Sequence, residues 1–384
     1  MSTIGAIIAW VAFGVVLYVY VGYPILLWIV SRIYQREVQH AETTPSVTLV
    51  ISAFNEADVI KGKLENSLGL DYPRERLEVL VISDASTDDT DRIVQSFEGQ
   101  GVRLLRMPGR GGKTVGLNAA LQHASGDVVL FSDANILYKP DTIRCLVKNF
   151  ADPAVGCVTG DSRYLEEMDS AAHVQENAYW GYERMIRTME SQIGSTVGGD
   201  GAIFAIRRHL YRPLAPEAIN DLVIPLQIVE AGYRAIFEPS AIGFEPSAGD
   251  FRKEFRRKRR IVNRSWRGVM SVTSVLNPFC VGVFSWQVWS HKVLRWLILP
   301  LVILSAVGCF MASESGWIYQ LGVWGFVGSL VLAAIGAMLP ERGGGLVRIA
   351  HGMFYFYLVN LAAILGVLKA LTGQVEMVWA PERN

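Results

Sequence analysis

The sequence predicts an α/β domain with a mainly parallel sheet, set between one N-terminal and about three C-terminal transmembrane helices. Two observations predict this. Long uncharged runs lie at both ends of the 384-residue chain, which carries 19% charged residues against roughly 25% in an ordinary soluble domain. Between them, over residues 46–268, apolar strand-like runs alternate with helical patterns, as in a parallel α/β layer structure. The expected divisions are a first transmembrane helix (1–31), the α/β domain (45–268), an interfacial segment (269–292), C-terminal transmembrane helices (293–370) and a tail (371–384).

Residues 4–30 carry no charged side chain, which suffices for a hydrocarbon core needing roughly 20 residues. No basic residue precedes the run, so it reads as an uncleaved helix rather than a signal peptide. Pro24 lies near its end, where a kink or a stop is tolerated. Further spans are expected at about 293–312, 317–339 and 346–369, with Arg348 snorkelling at the start of the last. Residues 271–291 are apolar but interrupted by Asn277 and Pro278 and contain Trp286, Trp289 and His291, which suits an interfacial segment.

Lys and Arg set the orientation. Arg32 and Arg36 follow the first span, Lys292 and Arg295 precede the second, and Arg342 and Arg348 lie between the third and fourth. The loop between the second and third holds Glu314 and no Lys or Arg. The positive-inside rule then places residues 31–292 on the cytoplasmic side with both termini outside, although Lys369 and Arg383 run against it.

Within the domain, strands are expected at 47–53, 77–84, 102–106 and 127–133, and helices at 57–68, 88–98 and 113–124. Asp84 and Asp133 each end a buried strand. Ligand sites in open α/β sheets form beyond the carboxyl ends of strands, so these two acids are expected in one cleft. Asp at such positions also simply caps helices. "MPGRGGKT" (107–114) imitates a phosphate-binding loop, but Met107 stands where GxxxxGK[ST] requires glycine, which removes an ATPase reading. Lys113 is left as a point charge able to meet a phosphate or as a solvated residue opening a helix. The four cysteines form no CxxC pair and read as reduced, buried thiols. A net charge of zero predicts no partner.

In order along the chain, "VISAFNEADVI", "VISDASTDDT", "GKTVGLNAAL", "GDVVLFSDAN" and "IND" resemble the family-2 glycosyltransferases of the GT-A fold. The flanking spans resemble its membrane-bound branch of hyaluronan, chitin and cellulose synthase-like and ceramide glucosyltransferase-like enzymes. The resemblance implies an inverting, metal-dependent hexosyltransferase. It would move a sugar from a nucleotide-diphosphate donor, a UDP-sugar in the first place, to a polysaccharide or lipid-linked acceptor. It also implies an integral protein of the plasma (inner) membrane with its catalytic domain in the cytoplasm and lipids as neighbours. Nucleic acid is not an expected partner, and no protein partner is indicated.

Carried over residue by residue, the resemblance gives Ala53, Asn55, Glu56 and Asp84 to the nucleoside, where a carboxylate accepts from base N–H or ribose hydroxyls. Lys113 and Asn118 join the donor set. Asp133-Ala134-Asn135 stands for the DxD motif that holds Mg2+ or Mn2+ on the diphosphate. Asp133 supplies charge, and Asn135 offers only a neutral oxygen where the family has aspartate. Asp221 matches the catalytic base that takes the acceptor hydroxyl's proton, with Asn220 replacing the usual preceding acid. Asp84, Asp133 and Asp221 are expected to converge on one divalent-ion pocket. "VGGDGAIFAIRR" (197–208) resembles the acceptor-side loop, giving Gly199 and Asp200, where Asp200 either touches the acceptor or holds the loop.

The basic segment departs most from the family. Processive members carry QxxRW, with the arginine on the diphosphate and the tryptophan stacked on the acceptor. Here Arg259 takes the arginine position and Arg260 replaces the tryptophan, with a possible slip of one residue, and both join the donor set. Nine of sixteen residues from Arg252 to Arg267 are Lys or Arg, so most are expected to form a belt against anionic headgroups. Asn135, Asn220 and Arg260 leave a catalytically weak or inactive membrane scaffold as the alternative. A transporter would need ionisable residues within the spans, and the C-terminal spans are nearly free of them.

Overall fold

Valine- and isoleucine-rich runs become strands where both faces of a sheet are covered, and the chain builds one eight-stranded sheet in this way. The computed structural model describes residues 2–164, 171–245, 251–339 and 345–375. The strands are β1 (Val47–Ala53), β2 (Leu77–Ser83), β3 (Val102–Arg106), β4 (Val128–Asp133), β5 (Leu137–Tyr138), β6 (Val155–Tyr164), β7 (Ile203–Arg207) and β8 (Arg234–Glu245). Their order is β3-β2-β1-β4-β7-β6-β8-β5. The first four are mutually parallel. β7 runs antiparallel to both β4 and β6, so the sheet is mixed rather than parallel throughout. β8 then pairs parallel with β6.

Alternation along the strands divides the core into two layers. Leu49, Ile51, Val79 and Val81 face one side, beneath helices α2 (Ala57–Leu68), α3 (Thr90–Gln95) and α5 (Thr142–Val147). Val50, Leu80, Val129 and Phe131 face the other. They lie beneath α4 (Lys113–His123) and α7 (Asn220–Glu230), where Phe131 and Phe204 stack with centroids 4.6 Å apart. The second layer continues without a break into α8 (Phe251–Ser271) and the membrane-side helices, through Val262, Val288, Trp296 and Val367.

The first helix, α1, runs over Ser2–Ile33. A π-helical turn at Tyr18–Gly22 directly precedes Pro24, as expected where a helix must absorb a missing N–H. Among the described residues, α1, α11 (Trp317–Met338) and α12 (Gly345–Leu371) are long and apolar enough to cross a membrane. The span expected at 293–312 is different. Helix α9 (Val283–Trp296) breaks at Leu297 and meets α10 (Ile298–Met311) at 68°. The 14 residues of α10 rise only about 21 Å, short of a hydrocarbon core of about 30 Å. Alone it does not span.

Small residues let these helices approach. A Cβ at Gly308 would lie 2.4 Å from the Ala9 nitrogen, and one at Gly336 would lie 2.2 Å from the Ala350 oxygen. The interfacial segment is built from short turns, with Asn277 accepting from the Phe279 N–H at 3.0 Å before α9 begins. Arg342, Arg383 and the tail beyond residue 375 lie outside the described residues. All four cysteines are free as expected, but only Cys157 is buried, and Cys280 is exposed.

Candidate active site

Strand register builds one end of the site. Ala53 pairs with Ser83, and Ser52 pairs with Asp133, so the residues leaving β1, β2 and β4 emerge together. A cleft of about 370 Å³ opens there, lined by Ala53, Asp84, Lys113, Asp133, Gly199, Asp200, Asp221 and Arg260, among others. Small-molecule sites commonly occupy roughly 300–1,000 Å³. The structure therefore brings most of the residues expected from sequence to one place. Asn55, Glu56, Asn118, Asn135 and Arg259 do not line it.

The reasons differ for each. Asn55 sits at φ 52, a left-handed conformation that asparagine tolerates. Its Oδ1 accepts from the Thr87 N–H at 2.9 Å and the Thr87 hydroxyl at 3.3 Å. The Glu56 N–H donates to the Thr90 hydroxyl at 2.8 Å. Both residues thus tie the loop after β1 to the loop after β2. Asn118 donates to the Leu214 carbonyl at 2.8 Å and accepts from the Leu214 N–H at 2.9 Å and the Tyr211 hydroxyl at 2.6 Å. It holds the 211–214 segment and lies outside the cleft lining.

Asp84 faces the cleft, yet both its oxygens are engaged, accepting from the Gly111 and Gly112 N–H groups at 2.8 and 2.9 Å. Gly112, at φ 84, makes the sharp entry into α4 that a residue with a Cβ resists. Lys113 opens that helix and points inward. Its Nζ donates to Asp133 Oδ1 and to the Gly201 carbonyl at 3.0 Å. One cation thereby joins the end of β4 to the glycine loop before β7. Asp200 is the scaffold of that loop. Its Oδ2 accepts from the Ser162 hydroxyl and N–H, its Oδ1 from the Ala202 N–H at 3.1 Å, and its own N–H meets the Thr159 hydroxyl at 2.8 Å.

Asp221 behaves otherwise. It lies in the first turn of α7, where its carbonyl accepts from the Gly199 N–H at 2.6 Å. Its Oδ1 is buried and has no hydrogen-bond partner. Burial pushes its carboxyl above the ordinary aspartate range, and Asp200 adds to this, while Lys113, Arg264 and Arg187 oppose it. A Cβ at position 201 would sit 3.1 Å from Asp221 Oδ2, so Gly201 keeps the approach to the carboxylate open.

Asp84, Asp133 and Asp221 share the cleft without forming a cage. Among the described residues, no three His, Cys, Asp or Glu side chains gather as metal ligands. The expected three-acid ion pocket is therefore not what the fold builds. A hard cation that keeps phosphate oxygens and waters in its shell needs only one or two carboxylates. Asp133 fits that part, since its carboxylate is partly exposed at the cleft and Lys113 pairs with only one of its oxygens, Oδ1. Asn135 lies outside the lining and does not complete a pair.

On the basic helix α8, Arg257, Lys258, Arg260 and Arg264 reach the cleft. Glu254 holds two of them, with Arg257 Nε at 2.8 Å and Lys258 Nζ at 3.5 Å. The backbone at Arg259 and Asn263 instead packs on Gly366 of α12. Of the two arginines expected from the motif, the one that lines the cleft is thus Arg260, one residue on from the expected arginine position. Arg264 was missed by sequence reasoning. It braces the approach to α7 through the Glu217 carbonyl at 3.0 Å, the Ala218 carbonyl and the Thr114 hydroxyl at 3.1 Å.

Helix α6 (Ala171–Ile193) was missed altogether. Trp180, Glu183, Arg187 and Glu190 fall on one face at helical spacing, and that spacing was the available signal. The first three line the cleft, together with Lys292 and Trp296. Glu190 and Glu183 hold the two ring nitrogens of buried His291 at 2.8 and 3.0 Å, which fixes α6 to the membrane-side helix α9.

Residues 48–214 match the family model described as glycosyl transferase family 2. The chain is 24% identical over 241 residues to a poly-beta-1,6-N-acetyl-D-glucosamine synthase of Staphylococcus aureus, covering 57% of this chain and 58% of that protein. It is 27% identical over 239 residues to a probable glycosyltransferase, YdaM, of Bacillus subtilis, covering 58% and 56%. The chain thus spans somewhat under two thirds of the length of these curated relatives. A solved mannosyltransferase of Pyrobaculum calidifontis, in complex with GDP-Man and Mn2+, superposes with a TM-score of 0.69 at 24% identity, over 96% of this chain and 98% of that one. This likeness shows a shared GT-A fold that extends over the membrane-side helices.

Proposed function

We propose, from the match of residues 48–214 to the glycosyl transferase family 2 model, that the chain catalyses inverting sugar transfer from a nucleotide-diphosphate donor to an acceptor hydroxyl at a membrane face. The observation that carries the proposal is Asp221. Its Oδ1 is a buried acceptor without a partner, in the cleft that also holds the Asp133–Lys113 pair. In the reaction, the acceptor hydroxyl's proton passes to Asp221 as its oxygen bonds to the sugar carbon and the bond to the diphosphate breaks. The raised affinity of this carboxyl for protons suits a base that must take one near neutral pH. Lys113 and Arg260 face the leaving diphosphate as point and planar cations. Asp133 would anchor Mg2+ or Mn2+, which when bound neutralises charge on the leaving group.

A polysaccharide acceptor is favoured by the similarity to the poly-beta-1,6-N-acetyl-D-glucosamine synthase of Staphylococcus aureus. A UDP-sugar is the donor tried first. The distribution of Lys and Arg around the spans favours a cytoplasmic site in the plasma (inner) membrane. The test is a donor panel of UDP- and GDP-sugars offered to the purified protein in lipid nanodiscs with Mn2+ or Mg2+. The proposal expects metal-dependent release of nucleoside diphosphate, lost in Asp221→Asn. No turnover with any donor, or turnover unchanged by that substitution, would overturn it.

A further inference from the structure

Buried polar atoms in folded proteins nearly always have a hydrogen-bond partner, so a cluster of exceptions calls for an explanation. Four of them share one wall of the cleft: Trp180 Nε1, Arg187 Nε, Asn220 Nδ2 and Asp221 Oδ1. Arg187 and Asn220 are only 8% and 5% exposed. An arginine so enclosed with an unpaired Nε is costly unless something completes it. The guanidinium lies 5.7 Å from the Trp180 ring centroid, which orients it without using its N–H groups. Arg187 also acts on the charge of Asp221, so the group spans α6 and the start of α7 as one patch.

The atoms are complementary in kind. Three donors, the indole, guanidinium and amide N–H groups, and one carboxylate oxygen are left unpaired in the same cleft lining. A phosphate here would meet the Asp221 carboxylate and be repelled. A sugar ring fits each atom, because a hydroxyl both accepts from Arg187 or Asn220 and donates to Asp221. The indole face suits the apolar C–H face of a pyranose. We infer that Trp180, Arg187 and Asn220 form the subsite for the acceptor's terminal sugar, presenting its hydroxyl to Asp221. This places the acceptor's stacking tryptophan on α6, whereas Arg260 occupies the place of the family's tryptophan on α8. The inference rests on the transferase reading for the role of Asp221, but sugar binding can be read without turnover.

The full chain in nanodiscs is titrated by calorimetry with two probes of the same chemistry. Methyl cellobioside stands for a glycan end, and octyl glucoside below its micellar concentration stands for a lipid-linked sugar. UDP is titrated separately. The wild type should bind at least one glycoside saturably, and the tighter arm identifies the source. Trp180→Ala and Arg187→Ala should each weaken that binding by about tenfold or more. Trp180→Phe, which keeps an aromatic face, should weaken it by less, and Arg187→Lys guards against a variant that fails to fold. No saturable glycoside binding by the wild type would overturn the subsite, as would equal affinity in both alanine variants. Parallel loss of UDP and glycoside binding would also overturn it, by assigning these residues to the donor side or to the fold. Glycoside binding that survives in a protein lacking all donor turnover would sink the transferase reading and leave the subsite standing.

Discussion

The two walls of the cleft differ in how their polar groups are satisfied. On the sheet-end wall, Asp84 and Asp200 spend their oxygens on neighbouring loops, and Ser52 Oγ is the unpaired exception. On the helical wall, Trp180, Arg187, Asn220 and Asp221 each keep a buried atom unpaired. The first wall is complete when the chain folds. The second is complete only with a ligand against it. Substitutions on the first should therefore appear as lost stability, and substitutions on the second as lost chemistry or binding.

The largest effect expected is on the helical wall. Asp221→Asn keeps size and removes the base, so kcat should fall about 10³-fold with the melting temperature preserved or raised. Burial holds the Asp221 carboxyl above its ordinary range, so the neutral form is favoured in the folded state. Its stabilising contribution is then full at acid pH and is lost as pH rises through the raised value. Activity runs the opposite way, since the base must be ionised. The acid limb of the kcat/KM profile should lie above the ordinary aspartate range. A limb at or below that range would remove Asp221 from the role. Next in size, Asp133→Ala should lower turnover about a hundredfold and raise the Mn2+ concentration needed for half-activity. An unchanged metal dependence would remove Asp133 from the metal role.

The same contrast explains what the sequence disclosed. β1, β3 and α2 begin and end where the periodicity placed them, because each is an unbroken apolar run or helical stripe bounded by polar loops. Parallel pairing of β1 with β2 and β4 follows from the helices between them, and it gathers Ala53, Asp84 and Asp133 at one sheet end. Family motifs brought in Lys113 and Asp221 as well. What stayed hidden depends on contacts distant in sequence. Whether an acid faces a ligand or a loop is decided by partners such as Gly111 and Gly112 for Asp84, or Ser162 for Asp200. The face of α8 that turns inward is set by Gly366, more than a hundred positions away, so Arg259 and Arg260 were not separable beforehand. The bend at Leu297 divides a run that hydropathy reads as continuous.

Polar groups that the fold pairs away from the cleft make two smaller predictions, both on stability. Lys63 is wholly buried. Its Nζ donates to the Ile136 carbonyl at 2.8 Å and lies 3.8 Å from the Tyr138 ring centroid, and burial lowers its pKa to about 7. In the unfolded chain lysine titrates near 10.4, so between about 7 and about 10.4 the unfolded state binds more protons and native stability rises with pH. Lys63→Met has no such proton. The wild type should gain on this variant as pH rises across that window, by about 4–5 kcal/mol at most. Scanning fluorimetry at neutral and alkaline pH reads the difference, and parallel curves would contradict it.

Asn118→Ala gives the smallest effect and separates a residue paired within the fold from the cleft lining. A family motif puts this residue in the donor site, but all three of its hydrogen bonds go to Tyr211 and Leu214. Removing the side chain leaves a backbone donor and acceptor of Leu214 and the Tyr211 hydroxyl without partners, at a net cost of about 1–2 kcal/mol. The melting temperature should fall by about 2–6 °C, and donor KM should stay within about threefold, because no atom of Asn118 lines the cleft. A rise in donor KM without a fall in melting temperature would return Asn118 to the donor site. It would also mean that the 211–214 segment is held by something other than this amide, and that pairing within the fold does not mark the residues that the fold has already used.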